Sequence, residues 1–202
     1  MRCLIATLLC LLAGVLHAQE ADLLHQVLAE LAAHPQVRAD FTQSRENPAL
    51  AQPQQSQGQL VFVSGHGMLW QVTQPYRETL ALTGARTARI DEQGQLQVIR
   101  NGDRGVAQVS QMLQSMLTGQ PEEALRQFTV EAHGSPSRWT LRFSPRQERM
   151  ARVLSAIELS GDRYLQGIDV EMQGGERTVI RFSGTRDAGT LSPLEARALG
   201  MP

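Results

Sequence analysis

Hydrophobic and polar positions alternate most regularly between Gly58 and Leu82. Leu60 and Phe62 alternate with Gln59, Val61 and Val63, and Ser64-Gly65-His66-Gly67 turns the chain. Met68, Trp70 and Val72 then alternate with Leu69, Gln71 and Thr73, and Gln74-Pro75-Tyr76 turns the chain again before Thr79-Leu80-Ala81-Leu82. Period-two patterning bounded by Gly and Pro predicts three short strands joined by tight turns. Upstream, Leu24, Val27, Leu28 and Leu31 recur at helical spacing, which predicts an amphipathic helix over 20–34 that Pro35 stops. A strand is expected over 37–45, with Val37, Ala39 and Phe41 on one face. Residues 47–57, rich in Pro, Gln and Ala, predict a mobile loop.

Downstream, 88–90 and 96–99 predict a hairpin around Glu92-Gln93-Gly94. Val109, Met112, Leu113, Met116 and Leu117 form one stripe, which predicts a second helix over 106–118 with Gly119 as its C-cap. Pro121 opens a short helix with Glu122 and Glu123 in its first turn. Strands follow at 128–132, 139–143, 157–159, 168–172 and 178–182. Ser144-Pro145-Arg146-Gln147 has the form of a capping box opening a short helix to Val153, and a last helix is expected from Ser192 with Pro193 at its first position. Neighbouring strands joined by short turns, with helices between, predict a single α+β domain built on an antiparallel sheet.

The first residues alter this picture. Met1-Arg2, an apolar run from Cys3 to Leu16, and Leu16-His17-Ala18 before Gln19 predict a secretory signal peptide over 1–18 and a periplasmic domain over 19–202. Leu9 precedes Cys10, where a lipidation site needs a small residue. Both cysteines lie in the expected leader, so the mature chain would carry no thiol and could be neither a cysteine hydrolase nor a thiolate metal site. The formal net charge is -1, which leaves no basic footprint for nucleic acid.

Candidate chemistry is sparse. His25, His34, His66 and His133 lack metal-ligand spacing, and there is no G-x-S-x-G elbow or phosphate-binding loop. Glu122 and Glu123 suit the positive end of a helix, and the strand patterns point Asp40, Asp169 and Glu171 to solvent. No metal or cofactor is expected. What stands out is an apolar inventory on strands, with two helices rich in Leu and Met, side chains suited to surfaces that repack.

Phe41-Thr42-Gln43 after an N-terminal helix, Gly58-x-Leu60, Trp70 with Thr73-Gln74-Pro75, and Trp139-Thr140-Leu141-Arg142-Phe143-Ser144-Pro145 follow in an order that resembles the periplasmic lipoprotein carrier family LolA. Ile157-Glu158-Leu159 and Arg177-Thr178-Val179-Ile180-Arg181-Phe182 are similar to that family's last long strands. The resemblance implies an incomplete, curved antiparallel β-barrel with a helical lid over an apolar cavity that receives acyl chains. It implies a monomeric carrier taking lipoproteins, or a related acylated lipid, from an inner-membrane releasing transporter to an outer-membrane acceptor.

Alternation then places Phe41, Leu60, Phe62, Met68, Trp70, Val72, Leu80 and Leu82 on the cavity wall. Leu24, Val27, Leu28, Leu31, Met112, Leu113, Met116 and Leu117 are the expected lid. One departure is specific: Ser64-Gly65 stands where the family carries an Arg-Pro whose Arg locks the lid, and the aromatic motif of its next hairpin is missing between Ala85 and Ile99, where Arg86 and Arg89 appear, with Arg100 just beyond. His66 and Arg77 are the candidate replacements, and weaker closure is expected. The alternatives are a lipid-sensing module of the same fold, similar to RseB, and a lipid or glycan hydrolase, for which no convergent nucleophile and base are visible.

Overall fold

A computed structural model describes residues 20–83, 86–91, 93–99, 112–118 and 120–201. Helix α1 spans 20–32 among these. Six strands follow: β1 (Gln36–Glu46), β2 (Gln54–Val63), β3 (Gly67–Gln74), β4 (Glu78–Thr83), β5 (Arg86–Ile90) and β6 (Leu96–Val98). Helix α2 is described at 112–117. Then come α3 (Glu122–Gln127), β7 (Phe128–Ser135), β8 (Arg138–Pro145), α4 (Glu148–Ala151), β9 (Leu154–Gly161), β10 (Leu165–Met172), β11 (Arg177–Asp187) and α5 (Pro193–Ala198). The expected leader, Val109 with the rest of 106–111, Gly119, Glu92 and Arg100 lie outside the described residues.

All the described strands form one antiparallel sheet in the order β6-β5-β4-β3-β2-β1-β11-β10-β9-β8-β7. Each hairpin adds its strand beside the last, and β11 returns to pair with β1 along a long register that sets Phe41 opposite Phe182. The sheet is curved but does not close, because the end strands β6 and β7 are not paired to each other. The three strands expected within 58–82 are β2, β3 and β4. Gly58 is required there: a Cβ would collide with the carbonyl oxygen of Gln71 on the neighbouring strand.

Four expectations needed correction. Residues 54–57 are not loop; Gln54–Gln57 extend β2 and pair with Thr42–Arg45. Ladder hydrogen bonds hold them, and as polar, mostly exposed residues they carry no hydrophobic alternation to signal a strand. Ser144 and Pro145 open no capping box: they continue β8 opposite Thr129 and Phe128, and α4 starts later with Gln147 as an N-cap that makes no side-chain bond. Pro145 lies beyond the β8–β9 ladder, where its missing N–H costs nothing on that side. Asp169 does not face solvent. It is 7% exposed, held by Arg177 at 2.9 Å and Arg181 at 2.8 Å from β11, a pairing that lets a charge lie under long side chains. Helix α1 ends at 32, two residues earlier than expected.

The core lies on both faces. The main cluster joins the inner face of β1–β4 and β7–β11 to α1, α2 and Ala124 of α3. A second cluster lies behind β2–β5, where Val61, Val63, Leu69 and Ala81 meet Ala198 and Leu199 of the C-terminal segment. The unbroken apolar run Leu60–Val63 is the sequence mark of a strand buried on both sides.

Helix α5 is held on that outer face by an interlocked polar group. Ser192 accepts from the Glu195 amide, and Glu195 Oε2 accepts from the Ser192 amide at 2.7 Å, a reciprocal capping box. Glu195 Oε1 also accepts from Arg38 Nη1 of β1 at 2.7 Å. His66 Nδ1 donates to the Leu199 carbonyl at 3.3 Å. Burial pushes the Glu195 carboxyl up, but hydrogen bonds from Arg38 and Ser192 outweigh it and hold the pKa below its ordinary 4.5. A depressed folded value means that the carboxylate's stabilisation is complete above the unfolded pKa and is lost as pH falls through the folded one. Glu195→Gln should therefore lower stability by about 2–4 kcal/mol at neutral pH. In urea titrations the gap from the parent protein should narrow as pH drops below 4.5; a constant gap would show that the charge is not what matters.

Candidate functional site

The inner face is built in rows across the strands. Leu60 of β2, Trp70 of β3 and Leu80 of β4 are cross-strand partners, as are Phe62, Met68 and Leu82. Phe41 on β1 stacks on Trp70 with ring centroids 3.7 Å apart, and Trp70 meets the edge of Phe182 at 6.3 Å. Such aromatic contacts stiffen a wall beyond what area burial supplies. Phe41, Leu60, Phe62, Met68 and Leu82 are buried in the main cluster, and Trp70 and Val72 are half-buried against it. Leu80 shares their face, is half-buried and stands outside the cluster.

The helices meet this wall. Val27, Leu28 and Leu31 of α1 and Met112, Leu113, Met116 and Leu117 of α2 are buried in the same cluster, with Leu24 half-buried beside them. The sequence reading missed the other half of the wall: Leu141 and Phe143 of β8, Ile157 and Leu159 of β9, Ile168 of β10 and Phe182 of β11. Their alternation was legible, with Leu141 and Phe143 flanking Arg142, and Ile157 and Leu159 flanking Glu158.

A small cavity lies between wall and roof. Its volume is about 30 Å³, the share of about one water in the liquid. Leu31 and Leu117 line it from the helices, Val37, Leu60, Phe62 and Phe182 from the sheet, and His34 and Tyr164 add polar atoms. Pockets that bury an organic ligand are roughly ten times larger. A larger hollow of about 440 Å³ opens at Thr42, Ser44, Gln55, Gln57, Gln74 and Arg181. Thr42, Ser44, Gln55, Gln57 and Arg181 alternate with the inward positions of their strands, whereas Gln74 keeps the parity of Trp70 and Val72, and Pro75 and Val179 add apolar surface.

Among the described residues, few polar bonds tie the roof to the sheet. Gln114 Nε2 of α2 donates to the Leu82 carbonyl at 3.2 Å. Behind α1, the Ser64 amide donates to the Pro35 carbonyl at 2.7 Å. Arg163, in the turn between β9 and β10, donates from Nε to His34 Nε2 at 3.2 Å and lies 3.5 Å from Glu30. Among the described residues, neither His66 nor Arg77 bonds the roof. His66 bonds the C-terminal segment on the other face, and Arg77 is exposed. Among the described residues, no group of three or more His, Cys, Asp or Glu side chains could hold a metal ion.

The model of the family described as outer membrane lipoprotein carrier protein LolA matches residues 34–194. The chain belongs to the LolA family. It is similar to an outer-membrane lipoprotein carrier protein of Methylococcus capsulatus, 28% identical over 160 residues that cover 78% of this chain and 74% of that one. Among solved structures it is similar to a LolA superfamily protein of Nitrosomonas europaea, with 9% identity, a TM-score of 0.50, and 87% and 96% of the two chains covered. MucB is similar at 13% identity, with a TM-score of 0.47 and 87% and 61% covered. The open, curved antiparallel sheet with its helical roof is the incomplete barrel of the LolA superfamily.

If helix side chains fill the space, trimming one should leave a void that an apolar probe can enter. Leu117→Ala should cost about 2–5 kcal/mol in denaturant unfolding and should raise the uptake of an apolar fluorescent dye. A destabilised variant with unchanged uptake would show that the space beside Leu117 is not reachable.

Proposed function

We propose that this protein is a periplasmic carrier that sequesters the acyl chains of lipoproteins, or of a related acylated lipid. It would move them from an inner-membrane releasing transporter towards an outer-membrane acceptor. The observation that carries the proposal is the pairing of an apolar wall spanning most of the sheet with a Leu- and Met-rich roof packed against it. Membership of the LolA family supports it, as does the carrier named among its relatives.

The physical task is to lower the cost of crossing water. Each exposed methylene costs about 0.8 kcal/mol, so a chain of about sixteen carbons resists leaving a membrane by roughly 10 kcal/mol or more. A protein that exchanges its own roof contacts for contacts with the chain removes that cost without a covalent step. In this reading α1 and α2 swing away from Phe62, Met68 and Leu82 as the chain arrives, and the sheet keeps its ladder. The wall residues are those facing the main cluster, Trp70 and Leu80 included.

The test is detergent-free purification from the periplasm of the native host, organic extraction, and mass spectrometry. Recovery of an acyl-bearing molecule, together with transfer of a labelled acyl probe between two vesicle populations, is the expected result. Binding without transfer would replace shuttling with sensing. Protein that is always empty and takes up no acyl probe would overturn the proposal.

A further inference from the structure

The small cavity has a polar rim, and the rim carries a cation whose hydrogen-bonding fork is open. Among the described residues, the polar contacts of Arg163 are made by Nε: His34 Nε2 lies at 3.2 Å and Glu30 Oε1 at 3.5 Å. Its guanidinium carbon stands 5.8 Å from the centroid of the Tyr164 ring, which in turn lies 4.5 Å from the ring of His34. Nη1 and Nη2 have no partner among the described residues, and the side chain is 67% exposed. A guanidinium fixed through Nε and over a ring presents its two outer nitrogens as a preformed fork for a carboxylate or phosphate. His34 and Tyr164 line the apolar cavity themselves, so the fork stands at that cavity's mouth.

The neighbouring carboxylates have different roles. Asp162 is engaged within its own turn, accepting from the Tyr164 amide at 3.0 Å and from Gln166 Nε2 at 2.7 Å. Glu30 belongs to α1, is 45% exposed, and approaches both Arg163 and His34. It is the one acidic group bridging the roof helix to the fork.

We infer that Arg163 recognises an anionic oxygen group, carboxylate or phosphate, on the polar end of the acylated ligand through Nη1 and Nη2, while Glu30 stands beside its Nε when the site is empty. The inference rests on the acyl-carrier reading and narrows its substrate class. The alkyl chain enters between Leu31 and the wall while its anionic end meets Nη1 and Nη2 and repels the like-charged Glu30 at Nε. That repulsion loosens a polar tie between α1 and the β9–β10 turn, so recognition of the head group and movement of the roof are coupled.

The experiment is calorimetric titration of the purified protein with oleate, monooleyl phosphate and oleyl alcohol, which share a tail and differ in charge. The two anions should bind about tenfold tighter than the alcohol, the scale of one charge-assisted contact at an exposed site. In Arg163→Gln this gap should vanish while alcohol binding stays as it was. Glu30→Gln should tighten oleate, because a repelling carboxylate beside the fork is gone; a merely structural contact would weaken binding in both variants. If only one anion gains from Arg163, that anion names the head group. Equal binding of all three ligands, or a gap that survives Arg163→Gln, overturns the inference and leaves the carrier reading standing. Failure of all three to bind overturns both.

Discussion

An antiparallel sheet that curves without closing leaves an apolar face that must be covered. The ends β6 and β7 are not joined, so the strands cannot seal the interior as a closed barrel does. Inner-facing Phe41, Phe62, Leu141, Phe143 and Ile157 would be wet without a roof, and their near-complete burial depends on α1 and α2. The helices are therefore part of the core and at the same time its only removable part. Backbone ladders hold each strand on both sides except at the ends, whereas the roof touches the sheet mostly through side chains.

The opposite face has a different logic. Where α5 lies, the strands are buried on both sides, and a capping box, an ion pair to Arg38 and a bond from His66 hold the helix down. Farther along, the same face is covered by charges: Arg142 lies between Glu158 and Glu171, and Asp169 between Arg177 and Arg181. The outer face is thus fastened by polar pairs and the inner face by apolar contact. Directional bonds suit a surface that stays fixed, and non-directional contact suits one that repacks around a new occupant.

How much of this was legible in the sequence depended on whether a residue's role left a periodic trace. Gly58 to Leu82 alternated cleanly, so its three strands and their inward side chains could be read directly. Ser192-Pro193-Leu194-Glu195 carries a cap signal that the fold uses, while Ser144-Pro145 carries a similar signal that strand pairing overrides. Gln54–Gln57 gave no trace, because a hairpin end in solvent is held by backbone bonds alone. Asp169 looked like any outward strand residue, since its burial comes from two arginines on the next strand. The family match runs from 34 to 194 and so leaves out α1 and most of α5. The roof helix had to be recognised from its own apolar stripe.

The balance of forces at the roof explains why so few polar ties suffice. Seven of the eight side chains expected in the roof are buried, each worth about 1.5–3 kcal/mol. Full separation from the wall would therefore cost on the order of 10 kcal/mol or more, the same order as the gain from burying one long acyl chain. Exchange between the two is then close to balance, and small terms set its direction. The Arg163 contact to Glu30 and the Gln114 bond to the Leu82 carbonyl are terms of that size, about 1 kcal/mol each. On the proposed carrier reading, a strong lock would hold the roof shut against a ligand, and no tie at all would leave the wall open to water. Single-contact ties between these limits would let the ligand's own chemistry decide when the roof moves.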